Sequence, residues 1–297
     1  MRTGPVHADS FLDEPTWRAR QEEHHRRISR WTVPHRDRAR RREPHPVLDF
    51  MFTYYSHRPA LLERWHPGLG VTLGGSAEGF LGRSGYVRTP DGVRLDPAAL
   101  PGPRVQSAEF VLRLLRAISG RPARLTCFGL HEWAMVYRTE APRHGGLPLR
   151  LGAEGTDAVV ERQPLRCTHH DAVRFFTPAA RPLNATDPAR ADQVDNEQPG
   201  CLHATMDLYK WAYKLSPATG SELIADCFEL AVDVRTLDMR ASPYDLSALG
   251  YPPVCIETAS GRADYARAQS AFSERAEPLR QRLIEIAEGI TYPGPRT

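Results

Sequence analysis

At 297 residues with 41% hydrophobic content, the chain can bury one large core or two modest ones. No stretch reaches the ~18–20 consecutive apolar residues that span a bilayer, and the first residues lack the apolar centre of a secretory signal. Membrane insertion is therefore not expected, and the cytoplasm is the expected compartment. The net charge is only +3, and two lysines (Lys210 and Lys214) against 37 arginines read as the coding bias of a GC-rich genome, not as a nucleic-acid signature.

In chain order, residues 9–31 read as a polar helix and 32–46 as a Pro/Arg linker. Ten arginines between Arg18 and Arg42 make the one basic cluster. Glu22, Glu23, Asp37 and Glu43 dilute it, so residues 1–43 are expected to form a solvated, partly flexible arm preceding a helical catalytic domain over 44–290. Asp49–Tyr55 is short and aromatic, and Pro59–Trp65 is helical until His66-Pro67-Gly68 stops it. Residues 68–102 are rich in glycine and proline, with short β-type pieces and a turn at Pro90-Asp91-Gly92. Helical periodicity returns through Phe110, Val111, Leu114, Leu115 and Ile118. Leu125–Tyr137 is apolar, 139–156 is a loop, Thr156–Glu161 starts another helix, and 177–200 reads as a long loop of the kind that is often functional. Two long helices, Cys201–Leu215 and Ser221–Arg240, flank Ser216–Gly220. A terminal amphipathic helix covers 261–289, with a kink expected at Pro278. The fold class is mainly α: a single-domain helical bundle with a short irregular, β-containing insertion near 68–102.

Cys127, Cys167, Cys201, Cys227 and Cys255 are odd in number and form no CxxC, so packed thiols are expected, not a disulfide framework or zinc knuckle. Cys167 beside His169 leaves thiol nucleophilic catalysis open. No HExxH, GxSxG, P-loop, GxGxxG or HxE…PCxxC pattern is present.

The chemistry-bearing residues lie between 131 and 233. His203, Asp207, Lys210 and Lys214 fall on one face of the first long helix, and Glu222, Asp226, Glu229 and Asp233 fall on one face of the second. Pairing outward from the loop sets Lys214 near Glu222 and Lys210 near Asp226. It also sets Asp207 near Glu229 and His203 near Asp233, where adjacent carboxylates call for a cation or a shared proton. Two solvated charge stripes are the competing reading. His169-x-Asp171 with the distant His203 matches one form of the two-His-one-carboxylate triad for ferrous iron, although Asp171 turns away if 167–176 is helical. His131-Glu132 lies in an apolar run and needs partners if buried.

The segments HPVLDFMFTYYSHRPALLERWHPG (45–68), CFGLHEWAMVYR (127–138), RCTHHDAVRFFTPAARPLN (166–184), PGCLHATMDLYKWA (199–212) and SELIADCFELAVDVRTLDMRASPYDL (221–246) resemble an actinobacterial family commonly labelled 3-methyladenine DNA glycosylase. The resemblance spans roughly 45–285. One branch of that family is associated with C-nucleoside antibiotic biosynthesis, in the oxazinomycin pathway, where a non-haem iron oxygenase acts on a ribosylated dihydroxypyridine. The doublet His169-His170 departs from the single His followed by an aromatic expected there.

The resulting expectation is an Fe(II)-dependent oxygenase acting on an electron-rich, pyridine-type small molecule with O₂. Its metal ligands would be His131, His169, His203 and Glu229, with Glu132 or Asp171 as substitute carboxylates. Asp171, Asp207 and Asp226 would orient ligands, and Tyr209 would donate to bound oxygen. Tyr54, Tyr55, Trp133 and Phe175 would receive the substrate. A DNA-3-methyladenine glycosylase or other nucleic-acid-binding protein is the first alternative and a haem protein the second. Nucleic acid is not the expected partner, and the sequence leaves the oligomeric state open.

Overall fold

A computed structural model describes residues 10–142, 144 and 146–293. The chain is mainly α. Its helices are α1 (Glu14–Arg41), α2 (Phe50–Thr53), α3 (Pro59–Leu62), α4 (Gly102–Ser119), α5 (Leu130–Ala134), α6 (Gly152–Arg162), α7 (His170–Val173), α8 (Gln193–Asn196), α9 (Leu202–Lys214), α10 (Ser221–Ala241) and α11 (Ala259–Thr291). The strands are β1 (Ser10–Leu12), β2 (Val71–Leu73), β3 (Tyr86–Thr89) and β4 (Gly92–Leu95), in the order β1-β2-β4-β3. Three of the four strands come from the expected insertion. The fourth, β1, pairs in parallel with β2 from a segment read as the start of a helix. Gly92 closes the β3–β4 hairpin at φ 149°, where a Cβ would collide with the Leu73 carbonyl.

The chain divides into two compact units. The first comprises Met1–Arg116, Leu208–Glu229 and Pro278–Thr297; the second comprises Ala117–Asp207 and Leu230–Glu277. No described helix is long and apolar enough to cross a membrane.

In the first unit, the segment expected to be an arm and linker is one 28-residue helix. Asp13 caps it by accepting from the Thr16 backbone N–H, and Arg42 ends it in the left-handed region at φ 58°. Trp17, His24, Ile28 and Thr32 make its buried stripe. Helix α1 continues past Pro34, where the sequence suggested a break, and ion pairs tie down the far turns: Arg36 to Glu63 and Arg38 to Asp49. Arg27 and Arg30 reach Glu229, so four of the ten clustered arginines are engaged by acids more than ten residues away. The rest of this core is aromatic. Tyr209 packs edge-on against Tyr55 and Phe228, and Phe80 against Trp17 and Trp65.

In the second unit, Trp133 is fully buried and donates from Nε1 to the Ala241 carbonyl at 2.9 Å. The loop 177–200 carries α8 and two 3₁₀ turns. Arg121 ties its end down by donating to the Val194 and Glu197 carbonyls.

Candidate metal centre

The second unit gathers three imidazoles and three carboxylates from distant points of the chain. His131 lies in the first turn of α5, which begins after Gly129 at φ 74°. A Cβ on Gly129 would press on the Tyr265 ring at 3.2 Å, so the turn that aims His131 depends on glycine. The His131 Nδ1 sits 3.3 Å from the Cys127 Sγ, and its Nε2 faces the Asp238 carboxylate at 2.9 and 3.0 Å. His203, in the first turn of α9, packs edge-on against His131 with ring centroids 4.5 Å apart and stacks on His169 at 5.1 Å. His169 immediately precedes α7. Its Nε2 lies 3.2 Å from Glu197 Oε1 and 3.6 Å from Asp207 Oδ2.

These six residues form two sets whose ligand atoms lie within 4.8 Å of one another: His131, His203 and Asp238, and His169, Glu197 and Asp207. All six are buried. His131 and His203 of the first set, but not Asp238, line a cavity of about 660 Å³ whose wall also includes Cys127, Tyr265 and Gln269. His169, Glu197 and Asp207 do not line that cavity.

The electrostatics are those of a site short of positive charge. Burial opposes a charge on His169, but Glu197 and Asp207 outweigh it and lift its pKa to about 10. Burial likewise opposes a charge on His131, while Asp238 and Cys127 raise its pKa well above the usual value. Burial, then the neighbouring His131 and His169, push His203 well below its usual range. Contact with the Cys167 thiol, followed by His131, holds the Cys127 pKa well below that of an ordinary thiol.

The donor set fits a metal ion. Ligands at ~2.1 Å from one cation stand roughly 3.0–3.4 Å apart in octahedral or tetrahedral arrangements, and the imidazole–carboxylate separations here run from 2.9 to 3.6 Å. Three buried groups also have polar atoms that no hydrogen bond satisfies: both ring nitrogens of His169, Oε2 of Glu197 and Oδ1 of Asp238. Orphaned buried atoms of this kind are costly unless a ligand completes them.

Of the expected ligands, His131, His169 and His203 come together, and Asp207 joins them directly. Glu229 does not. Its carboxylate is held by Arg27 at 2.6 Å and Arg30 at 3.0 Å, because the polar stripe of α10 faces arginines instead of the α9 stripe. Asp226 binds Arg27, Asp233 binds Arg275, and Glu222 accepts from Trp65 Nε1. Glu132 is no substitute ligand, since Arg235 occupies it at 2.6 Å. Nor is Asp171, which is inside α7 and 3.7 Å from Arg174. Tyr209 belongs to the first unit, where its hydroxyl lies 3.2 Å from His57 Nδ1. In that unit Tyr54 stacks on Phe50, and Tyr55 meets Phe50 edge-on. Phe175 lies under the Arg174 guanidinium at 4.5 Å, and Trp133 is enclosed; neither lines the cavity. Asp238, Glu197 and Cys127 were not foreseen. Glu197 carried one signal, its place in a loop long enough to be functional. Asp238 carried another, as a carboxylate among apolar positions of α10 that point away from the Glu222–Asp233 stripe.

No family profile matches the chain, and no curated protein or solved structure matches it.

Proposed function

We propose that the chain is a non-haem Fe(II)-dependent oxygenase whose ion is held by His131, His203 and Asp238 and whose substrate is an electron-rich, pyridine-type heteroaromatic small molecule, as in C-nucleoside biosynthesis. The observation that carries this reading is the convergence of two imidazoles and one carboxylate, with both imidazoles opening onto the 660 Å³ cavity. Two histidines and one carboxylate are the donor set that leaves positions on ferrous iron open. When bound there, the ion would supply O₂ activation and polarisation of a chelating substrate.

The chain's own residues have definable tasks. Cys127 holds the Nδ1 side of His131, which directs Nε2 towards Asp238. Tyr265 and Gln269 line the cavity, and among the described residues Tyr265 Oη and Gln269 Oε1 make no hydrogen bond. The cavity volume suits a nucleoside-sized molecule. Five free cysteines accord with a reducing compartment, and we place the protein in the cytoplasm.

The test is anaerobic reconstitution with Fe(II), metal analysis, and oxygen uptake with a dihydroxypyridine nucleoside. Asp238→Asn and His203→Ala should each lose one equivalent of iron per chain and all substrate-stimulated oxygen uptake. Full iron occupancy in both variants would sink the assignment.

A further inference from the structure

We infer that His169, Glu197 and Asp207 hold a divalent cation of their own, so that the second unit carries two metal ions. The inference builds on the iron site proposed above but stands on different residues. One ion cannot serve both sets. At ligand distances of ~2.1 Å, no two ligand atoms of one ion can be more than about 4.2 Å apart. His169 Nε2 is 3.2 Å from Glu197 and 3.6 Å from Asp207, within that limit, whereas His169 groups with neither His131 nor Asp238. His203 stands between the sets as a shared wall, its ring packed against His131 on one side and His169 on the other.

Two further observations favour an ion over a hydrogen-bonded cluster. First, His169 is 1% exposed, yet neither ring nitrogen makes a hydrogen bond: the carboxylates are near Nε2 but not in line with an N–H. A buried imidazole that faces two carboxylate oxygens with both nitrogens unsatisfied is an arrangement that a bound cation completes. Second, Glu197 is also 1% exposed, and its Oε2 is unsatisfied although Gln193 Nε2 donates to Oε1 at 2.6 Å. One oxygen is oriented by the protein and the other left open, as in a carboxylate held by its surroundings for a metal. One imidazole and two carboxylates suit a divalent ion of the Mn, Fe, Co or Zn type. Because His169, Glu197 and Asp207 are absent from the cavity wall, this ion would steady the loop 177–200 and α9, not receive substrate.

The experiment is titration of the metal-free, full-length protein with Co(II), read by visible absorption and by metal analysis, in wild type, Glu197→Gln, Asp207→Asn and Asp238→Asn. Two equivalents in wild type, with one lost in Glu197→Gln and in Asp207→Asn, is the expected result. A single equivalent that disappears in Asp238→Asn but survives in both other variants overturns the inference and leaves the iron site intact. A single equivalent lost only in Glu197→Gln and Asp207→Asn supports the deep site and overturns the cavity site. If the variants fail to fold, anomalous scattering from a Co(II)-loaded wild-type crystal decides. A peak within ~2.0–2.3 Å of His169 Nε2 supports the site, and its absence at full Co(II) loading overturns it.

Discussion

Glu132 and Arg235 are 2.6 Å apart, with side chains 7% and 4% exposed. Despite the cost of burial, Arg235 holds the Glu132 pKa below the usual carboxylate value. Breaking such a pair strands one charge without water. Glu132→Gln should therefore destabilise the protein by about 3–5 kcal/mol in urea unfolding. A change under 1 kcal/mol would mean that Arg235 finds another partner. Asp238 is the nearest, 3.7 Å away. The same residue explains part of what the sequence concealed. His131, His169 and His203 are recognisable as candidates because an imidazole in an apolar run needs a partner. Their carboxylates are not recognisable, because spacing cannot tell a ligand from the counter-ion of an arginine. Glu132 and Glu229 looked as suitable as Asp238 and Glu197, and only the tertiary placement of Arg235 and Arg27 separates them.

At the scale of elements, α1 is the test of how far local reading extends. Its arginine density and Pro34 suggested a solvated arm and a linker. The buried stripe Trp17, His24, Ile28 and Thr32, spaced seven, four and four, was available in the sequence but diluted by the many charged residues on the rest of the helix. Trp17 is 3% exposed, packs edge-on against Phe80 and donates to the Gly74 carbonyl at 3.0 Å. Trp17→Ala should cost roughly 3–5 kcal/mol, measured as a shift in the urea midpoint. A freely moving arm would give no shift at all. The faces of α10 were misjudged for a related reason. A short loop between α9 and α10 makes them neighbours in sequence, but it does not fix which stripe of each helix meets the other. Asp226, Glu229 and Asp233 of that stripe turned to arginines of α1 and α11, leaving Asp238 for the histidines. Element positions were more legible than faces. The helical periodicity at 110–118 became α4, and both long helices and the terminal helix formed near their expected bounds.

At the scale of the whole chain, each unit is assembled from separated segments, so pattern reading along the sequence finds elements but not their grouping. The pH dependence of stability offers a test within the first unit, away from the metal-capable residues. His57 and His66 are 7% and 9% exposed. Burial lowers the pKa of His57 to about 4; burial, aided by Arg83 and Arg64, lowers that of His66 to about 3. Both values lie below the ~6.5 of an unfolded chain, so over that interval the unfolded state binds more protons than the folded one. The stabilisation is therefore complete above pH 6.5 and is lost as the pH falls towards 4. Integrated between pH 7 and pH 5, the two groups together should remove about 3–4 kcal/mol of unfolding free energy. Other groups titrate in the same range, so the informative quantity is a difference between proteins. His66→Gln cannot be protonated, and its loss of stability between pH 7 and pH 5 should be smaller than that of wild type by about 2 kcal/mol. An identical slope in the variant and wild type would show that His66 is as easily protonated in the folded protein as in the unfolded chain, and that its enclosure against Tyr86 is not maintained in solution.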